Sequence, residues 1–488
     1  MFTRLSLGGM AFAAAIAFSL PQAQAAGAPT ASELGPEATL TEPSGGFVGR
    51  LELSPERGPI GTPVAVHGEG LPANEELDLV WRTTKVRWKV EGAEYHGREY
   101  TPAGYRIATV KTDANGAFTA SFKAPDDFGF YHDITVQQAG RTLTQAAFYI
   151  NMMVAISPQS GPVGTPITVD VKGIGTKQLQ NSWLLLYDNA YTGWMPSVRG
   201  NGSAHFTIPA TGRPGNHVVE VLHGGFTFAY RNMQQSPQPN RPRFALNFQI
   251  TEGKPVLPPP PEKQVQASVQ RLPEAGELKV EPAFSHVGEP ITVSGTGFEA
   301  GKNYTLNWSR VTGNRVSGSG WEETERVIAE ATADTDGKLV YTFATPDDLG
   351  GSHTLRVAGP DGDVAGSVWI APSALPLDVS KGPAGTPFTI HLKGVGWTET
   401  ANIYAIDYDN GYIGYACGFN SQGDVVINMY ATGDPGMHYI TLYPAVYKGK
   451  EKWPNNFRLP QLTYKVDHPG EDLPRFEFAF EVTKAETN

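Results

Sequence analysis

Apolar and polar residues alternate in short runs along most of the chain, starting at Leu51. Gly, Pro, Asn and Asp separate these runs, which are about five to eight residues long. This pattern predicts half-buried β-strands, because successive side chains of a strand point to opposite faces of a sheet. Apolar residues repeated every three or four positions, which would indicate amphipathic helices, do not recur over a useful length. The pattern therefore predicts an all-β protein.

Four segments of the chain begin in the same way. Each has a first strand edged by proline, a turn of the form x-Gly-x-Pro and a β-branched second strand, and they lie at 54–70, 157–169, 281–298 and 381–390. Proline at these places is compatible with an edge or the start of a strand. Asp126, Asp188 and His217 each have an identical residue 221 positions further along the chain. We interpret the chain as an internal duplication of a two-domain unit.

The first and third of these segments resemble the immunoglobulin-like modules of the IPT/TIG type found in exported bacterial surface proteins. The resemblance rests on the turns 68–71 and 295–298, on Trp81 and Trp308, and on the stretch 112–118. It implies a small antiparallel sandwich of about 100 residues for each module. The expected fold is four tandem immunoglobulin-like β-sandwich domains in two duplicated pairs. Such motifs specify a fold and leave the activity to be argued from sites.

A proline-rich stretch separates the two copies. The consecutive prolines 258–261 remove backbone donors and hold the chain near polyproline II, which predicts a semi-rigid spacer. Two weak sites on such a spacer would bind a repeated partner with avidity. The predicted organisation is a signal peptide at 1–25, a disordered leader at 26–46, domain 1 at 47–150, domain 2 at 151–252, a linker at 253–275, domain 3 at 276–371 and domain 4 at 372–488.

The start of the chain predicts export. Arg4 precedes an apolar run from Met10 to Leu20, and Ala23-Gln24-Ala25 follows, as in a secretory signal peptide cleaved after Ala25. No later apolar segment is long enough to span a membrane, so an integral membrane protein is not expected. The single cysteine, Cys417, excludes an internal disulfide, and the net charge of −11 argues against nucleic acid as a partner. The predicted location is the periplasm or the cell surface.

Two pairs of carboxylate motifs are candidates for a cation or for acid–base chemistry. The stretches 113–116 and 334–337 begin like a calcium loop but lack the glutamate at the twelfth position, so a hairpin turn is the favoured interpretation. The stretches 125–129 and 346–350, each followed by a histidine, carry two adjacent aspartates. Capping of backbone amides is favoured for them, and calcium bridging stays open as the alternative.

Two clusters combine tyrosine with aspartate and asparagine, at 187–194 and 408–415. Aromatic faces beside fixed polar groups suit a carbohydrate, whereas an Asp-Asn turn between paired tyrosines is also expected of a plain hairpin. Long insertions at 82–105 and 309–325 add further tryptophans. The predicted ligand-binding residues are Tyr187, Asp188, Asn189, Tyr191, Trp194, Tyr408, Asp409, Asn410, Tyr412, Tyr415, Trp88 and Trp321.

The sequence contains no motif of a serine hydrolase, a zinc protease or a phosphate loop. His217 and His438 occupy equivalent positions, but the residues around them differ, so a shared metal site is not predicted. We expect no catalytic residue, metal or cofactor. The leading hypothesis is an exported, non-enzymatic binding or structural protein whose partner is an envelope protein or a surface polysaccharide. The alternatives are a polysaccharide-acting hydrolase or its accessory subunit, and a stalk rigidified by calcium.

Overall fold

A computed structural model gives the three-dimensional structure of the chain. It describes residues 28–40, 46–176, 183–223, 228–235, 242–264, 277–314, 320–359, 362–447, 458–470 and 472–485. The predicted signal peptide at 1–25 lies outside the described residues.

Four β-sandwiches follow one another along the chain, which confirms the predicted fold class. Each sandwich packs a three-stranded sheet against a five-stranded sheet, and the strand order is the same in all four. In domain 1 the sheets have the orders β1-β3-β6 and β2-β8-β7-β4-β5. The strands of domain 1 are Arg50–Ser54 (β1), Arg57–Gly58 (β2), Pro63–Glu69 (β3), Glu76–Glu91 (β4), Glu94–Lys111 (β5), Phe118–Lys123 (β6), Phe130–Gln138 (β7) and Arg141–Ile150 (β8).

The other three domains repeat this arrangement. Domain 2 has Met153–Ser157 (β9), Ser160–Gly161 (β10), Pro166–Lys172 (β11), Trp183–Tyr187 (β12), Ala190–Trp194 (β13), Ala204–Pro209 (β14), Gly215–His223 (β15) and Arg243–Ile250 (β16). Domain 3 has Lys279–Glu281 (β17), Phe284–Ser285 (β18), Pro290–Thr296 (β19), Asn303–Asn314 (β20), Gly320–Thr332 (β21), Lys338–Ala344 (β22), Gly351–Gly359 (β23) and Gly362–Ile370 (β24). Domain 4 has Ser373–Ala374 (β25), Lys381–Pro383 (β26), Pro387–Lys393 (β27), Ile403–Tyr408 (β28), Gly411–Cys417 (β29), Val425–Tyr430 (β30), Gly436–Ala445 (β31), a short helix Tyr464–Asp467 (α1) and Phe476–Thr483 (β32).

Helices are short throughout the described part of the chain. None of them is both long and apolar enough to cross a membrane.

The paired aspartates predicted to cap backbone amides form the joints within each two-domain pair. Asp127 accepts a hydrogen bond from the buried Trp81 Nε1 at 2.8 Å and another from the Phe128 backbone N–H. Its neighbour Asp126 forms an ion pair with Lys172 of domain 2. The second pair repeats these contacts 221 residues later, with Asp348 accepting from Trp308 and Asp347 bound to Lys393. The structural interpretation of these motifs is therefore confirmed.

Glycine ends each of these motifs because the two domains approach each other there. The Gly129 N–H donates to the Ile174 carbonyl at 3.0 Å, and a Cβ at position 129 would lie 1.7 Å from the Gly173 oxygen. Gly350 makes the equivalent bond to Val395, with the Gly394 oxygen 2.0 Å from its would-be Cβ. Any side chain at either position would push the domains apart.

Domains 2 and 4 lie side by side, and residues at equivalent positions touch each other. Tyr191 and Tyr412 meet edge to face with ring centroids 6.2 Å apart, and Arg213 forms an ion pair with Asp434. In each of these pairs the partners are separated by 221 positions in the sequence. A residue contacts its own counterpart only near a twofold axis. Domains 2 and 4 are therefore related by an approximate twofold axis between β13 and β29.

The long hairpin of β4 and β5 ties domain 1 to domain 4. Its tip accepts a hydrogen bond from the Glu399 N–H at the Ala93 carbonyl, and the Tyr95 N–H donates to Glu399 Oε2, both at 2.8 Å. Trp88 Nε1 donates to the Asp467 carbonyl oxygen at 2.7 Å. A buried apolar cluster surrounds these bonds and contains Trp88, Tyr95, Leu184, Leu186, Trp194, Val198, Leu222, Val446 and Leu459. Domains 1, 2 and 4 thus meet in one buried apolar cluster, apart from the core of each sandwich.

A segment of domain 4 also covers the open edge of domain 2. The Trp194 N–H donates to the Pro460 carbonyl and the Leu462 N–H donates to the Trp194 carbonyl, both at 3.0 Å. Residues 460–462 therefore run parallel to β13 like a further strand. An uncovered edge would leave a row of unpaired backbone groups open to other chains.

The leader is ordered over the described residues 28–40, which corrects the predicted disorder. The Asp126 N–H donates to Pro29, the Arg106 N–H to Pro36, and the Ala38 N–H to Gly104. Ala31 is buried against the core of domain 1. A segment poor in large apolar residues is expected to be disordered unless other parts of the chain bind it. Here the edge strand β5 supplies backbone hydrogen-bond partners for the leader.

The proline stretch is packed between domains 2 and 4, so it is not the free spacer that the sequence suggested. The Val256 N–H donates to the Val163 carbonyl at 2.9 Å, and the Val256 carbonyl accepts from Tyr439 OH at 2.8 Å. Gln264 Nε2 donates to the Glu477 carbonyl. The prolines line an open cleft of about 1000 Å³ between the two domains. Because the domains contact each other directly, the linker does not set their separation.

We predict that Trp88→Ala loosens the hairpin of domain 1 from domain 4. Truncation of a buried tryptophan costs about 3–5 kcal/mol, and the Nε1 donor is lost with it. Hydrogen exchange should accelerate at the Tyr95 amide, which is bonded to Glu399. Trp321→Ala is the matched control because Trp321 is 42% exposed. Unchanged exchange at Tyr95 in Trp88→Ala would contradict the role given to this cluster.

Candidate functional site

The aspartates of the two tyrosine clusters are bound within their own domains. Asp188 accepts hydrogen bonds from His217 Nδ1 at 2.5 Å and from the Val218 N–H at 2.9 Å. Asp409 accepts the same pair of bonds from His438 and Tyr439 at the same distances. The histidines therefore orient a turn, and the predicted hairpin accounts for this part of the clusters.

The backbone of these turns explains the Asp-Asn dipeptide. Asp188 and Asn189 have φ values of 48° and 71°, and Asp409 and Asn410 have 50° and 62°. Positive φ at both central residues is required by the tight turn that matches the twist of a hairpin, and Asn and Asp tolerate it. Asn410 also donates from Nδ2 to the Pro209 carbonyl at 2.7 Å, so it contributes to the contact between domains 4 and 2.

The tyrosines that open the two clusters are structural as well. Tyr187 OH donates to the Thr211 carbonyl at 2.9 Å, and Tyr408 OH donates to the Thr432 carbonyl at 2.8 Å. Each ring stacks on the histidine of its turn. Burial is the main cause that raises the pKa of both hydroxyls. These hydroxyls tie each hairpin to the loop that follows β14 or β30.

Three of the predicted aromatic residues come together at the boundary of domains 2 and 4. Tyr191 contacts Tyr412 across the twofold axis, and Tyr415 lies three residues further along β29, where a shift in the register with β28 brings it to the same face. Phe228 packs on Tyr191 with ring centroids 5.5 Å apart. Tyr415 is 44% exposed and Phe228 is 59% exposed. We call the surface formed by Tyr191, Phe228, Tyr412, Tyr415, Tyr447 and Arg458 the tyrosine seam.

Arg458 is the charged residue of the tyrosine seam. Its guanidinium carbon lies 5.3 Å from the centroid of Tyr415 and 5.1 Å from that of Tyr447, so both rings flank the cation. Its Nη1 donates to Tyr415 OH at 3.2 Å, and its carbonyl accepts from Tyr412 OH. The backbone has a φ of 61°, which a non-glycine residue adopts only when its surroundings hold it there. The two rings and the bond to Tyr415 OH therefore hold the guanidinium in place.

A buried carboxyl lies under the tyrosine seam. Asp407 pairs with Tyr412 across β28 and β29, is 1% exposed, and has no hydrogen-bond partner for either oxygen among the described residues. Burial raises its pKa well above the ordinary value, because a charged carboxylate is poorly solvated there. Burial therefore favours the neutral form of Asp407.

The remaining predicted aromatic residues lie elsewhere. Trp88 and Trp194 are buried in the cluster shared by domains 1, 2 and 4. Trp321 is exposed and meets Trp397 of domain 4 with ring centroids 4.6 Å apart, away from the tyrosine seam. The sequence did not show which of these aromatic side chains are buried and which are exposed. Their burial depends on which neighbouring domain covers each side chain.

Sequence reasoning missed Phe228, Tyr447 and Arg458 as members of a site. The signal was present in the two matching extensions that follow β15 and β31, where aromatic and basic residues are frequent. Nothing in the sequence placed the two extensions next to each other. The twofold contact between β13 and β29 does so.

The stretches that resembled calcium loops are hairpin turns. Asp113 Oδ1 accepts from the Asn115 and Ala117 backbone N–H groups at 2.8 Å each, and Asp334 repeats this with Asp336 and Lys338. Across the described ranges, no group of three or more His, Cys, Asp or Glu side chains is placed to hold a metal ion.

Comparison with known proteins does not assign the chain to a family. No protein-family model matches it, and no curated protein does. Solved structures that align with it include Salmonella alpha-2-macroglobulin reacted with methylamine (11% identity, 90% of this chain and 31% of that one, TM-score 0.18), an ectodomain fragment of ICAM-5 (12%, 85% and 99%, 0.17) and the Yersinia pseudotuberculosis adhesin InvE (12%, 66% and 58%, 0.16). The chain spans about a third of the length of the alpha-2-macroglobulin. At such low TM-scores these similarities say nothing about function.

We predict that Asp188→Ala lowers the free energy of unfolding by about 1–3 kcal/mol, because the Val218 N–H and the His217 ring lose their acceptor. Urea unfolding measures this change. Asp336→Ala, at an exposed turn position of domain 3, is the control and should be close to neutral. If the two variants were equally stable, the structural role of Asp188 would be wrong, and Asp188 would again be a candidate ligand-binding residue.

We further predict a pH-dependent contribution from Asp467, which accepts bonds from the Val198 and Arg199 N–H groups. Burial raises the pKa of Asp467 to about 6, against the opposing effect of these bonds. The folded protein therefore keeps a proton that the unfolded chain loses near pH 4. Stability from this group is complete below pH 4 and falls by about 3 kcal/mol as the pH rises to 6 and above.

Urea unfolding of wild type and Asp467→Asn between pH 4 and pH 7.5 tests this contribution. The wild type should lose stability relative to the variant as the pH rises. A constant difference over this range would show that Asp467 does not titrate between pH 4 and 6.

Proposed function

We propose that this protein is an exported, non-enzymatic binding protein of the bacterial periplasm or cell surface, with domains of the IPT/TIG type, and that the tyrosine seam recognises a surface polysaccharide. The observation that supports this most is the convergence of rings from domains 2 and 4 on a surface that stays partly exposed. Tyr415 and Phe228, the most exposed members, come from different domains.

The chemistry of the tyrosine seam suits a sugar. The C–H faces of a pyranose ring stack on aromatic rings, and its hydroxyls need donors and acceptors in fixed positions. Tyr415 and Phe228 offer exposed rings, and the Tyr415 hydroxyl is held in place by the hydrogen bond that it accepts from Arg458 Nη1. Rings fixed by domain packing lose little conformational entropy on binding, which favours affinity.

The positions and contacts of the candidate carboxylates favour a binding function over a hydrolase activity. Glycoside hydrolysis needs two carboxyl groups that face the same open site. Asp188 and Asp409 are engaged in their turns, and Asp407 is buried beneath the rings. A stalk rigidified by calcium is less well supported than a binding protein. Asp113 and Asp334 already accept hydrogen bonds from backbone N–H groups of their own turns.

We predict that Tyr415→Ala weakens polysaccharide binding by about tenfold, equivalent to about 1.4 kcal/mol. The measurement is affinity electrophoresis of the mature protein in gels that contain a panel of bacterial polysaccharides. Tyr131→Ala is the matched control, because Tyr131 of domain 1 is 74% exposed and lies outside the tyrosine seam.

Three outcomes would contradict the proposal. Retardation by no polysaccharide, together with retention of an envelope protein, would favour a protein partner. Release of reducing sugar from any member of the panel would favour a hydrolase. Equal loss of binding in Tyr415→Ala and Tyr131→Ala would place the contact outside the tyrosine seam.

A further inference from the structure

Each five-stranded sheet ends in an edge strand at the same place in the strand order, and these edge strands are β5, β13, β21 and β29. The backbone N–H and C=O groups on the outer side of such a strand need partners from outside the sheet. The four edge strands differ in what covers them.

Three of the four edge strands meet another part of this chain. The leader runs antiparallel along β5, where the Arg106 N–H donates to the leader and the Gly104 carbonyl accepts from it. Residues 460–462 run along β13. The turn before β29 lies against domain 2, because the Asn410 carbonyl accepts from Thr192 Oγ1 at 2.7 Å. Extended segments of this chain therefore pair directly with two of these edges.

The outer side of β21 in domain 3 has no such partner. The register of β21 with β20 repeats that of β5 with β4, with a bulge at the equivalent place. The Val327 N–H therefore points outward, as the Arg106 N–H does. The Glu325 carbonyl points outward, as the Gly104 carbonyl does. Over the described ranges, neither group of β21 has a backbone partner, so this edge can pair with a further strand.

The exposed part of β21 is acidic. Residues 322–330 contain four glutamates and one arginine. Glu325 binds the Arg356 guanidinium, but Asp363 binds the same guanidinium, so one negative charge of this group of three remains in excess. The edge therefore presents a negative field to a strand that approaches it.

The side chains of β21 place part of this charge on one face. Glu323, Glu325 and Val327 are two residues apart from each other, so they line the same face of the strand. Val327 is 61% exposed and offers an apolar contact beside the two carboxylates. Charge matching already accompanies strand addition on β5, where Glu37 of the leader forms an ion pair with Lys85 at 2.8 Å.

A second copy of this chain does not suit the edge of β21. Two β21 strands paired side by side would bring the glutamates of both copies together, and like charges on neighbouring strands destabilise a sheet. The leader of another copy does not fit either. Leu40 lies 2.5 Å from where a Cβ at Gly104 would be, and β21 has Glu325 at the equivalent position. Lysine or arginine at alternate positions of a partner strand would instead be attracted to the carboxylates.

We propose that the outer edge of β21 binds an extended basic segment of a partner protein as an additional antiparallel strand. The bound segment accepts a hydrogen bond from the Val327 N–H and donates one to the Glu325 carbonyl, and its basic side chains face Glu323 and Glu325. This surface belongs to domain 3, whereas the tyrosine seam belongs to domains 2 and 4. The inference therefore does not depend on the polysaccharide.

Fluorescence anisotropy of the mature protein with a labelled peptide of alternating lysine and valine tests the inference. One control peptide has glutamate in place of lysine, and a second keeps the lysines but has methylated backbone nitrogens. We expect the lysine peptide to bind about tenfold more tightly than either control. Hydrogen exchange should slow at the Val327 amide when the peptide is bound. It should stay unchanged at the Arg106 amide, which already donates to the leader.

Substitutions separate the backbone contact from the charge. Val327→Pro removes the outward N–H at an edge position, where proline is tolerated, and should abolish binding of the lysine peptide. Glu323→Lys reverses an exposed charge, should weaken binding about tenfold, and serves as the test if Val327→Pro does not fold. Glu76→Lys makes the same change at an exposed position of domain 1 and should leave binding unchanged. Raising the salt from 50 to 300 mM should weaken wild type more than Glu323→Lys.

Three results would overturn the proposal. Equal binding of the lysine peptide and its methylated form would show attraction by charge alone, without strand addition. A dimer in sedimentation that Val327→Pro dissociates would assign the edge to a second copy. A monomer that does not bind the lysine peptide would leave the glutamates of β21 as protection against edge pairing. The polysaccharide proposal is tested separately by Tyr415→Ala, and none of these results affects it.

Discussion

The packing of domain 2 against domain 4 is the contact on which the rest of the structure depends. It buries Leu184, Leu186 and Trp194 of domain 2 beneath chain segments of domain 4 and beneath the hairpin of domain 1. Because counterparts such as Tyr191 and Tyr412 meet there, the duplicated pairs behave like the two subunits of a dimer on one chain. Without that contact each pair would keep its own joint, and the two pairs would be connected through the hairpin of domain 1 and the linker.

The tyrosine seam exists only because of this contact. Domain 2 contributes Tyr191 and Phe228, and domain 4 contributes Tyr412, Tyr415 and Arg458. Neither domain alone presents the set. A duplicated chain has a simple advantage here, since covalent linkage removes the concentration dependence that a dimer interface would have. The same duplication also allowed the halves to diverge, as Leu186 and its counterpart Asp407 illustrate.

Local motifs were read correctly from sequence because their bonds are local. Asp188 and Asp409 bind the strand beside their own hairpin, and Asp113 binds the N–H groups of Asn115 and Ala117. Identical residues 221 positions apart showed the duplication directly in the sequence. The leader and the proline stretch were read less well, since both owe their order to partners far along the chain, such as Gly104 and Tyr439.

The sequence by itself determined the strands, the number of sandwiches and the turns that carry Asp and Asn, because alternation and turn chemistry lie in neighbouring residues and repetition is visible along the chain. Only the tertiary structure decided that Trp88 and Trp194 are buried while Tyr415 stays at the surface. Alternation tells which face of a strand a side chain occupies. It does not tell which domain covers that face, and that choice separates a core residue from a binding residue.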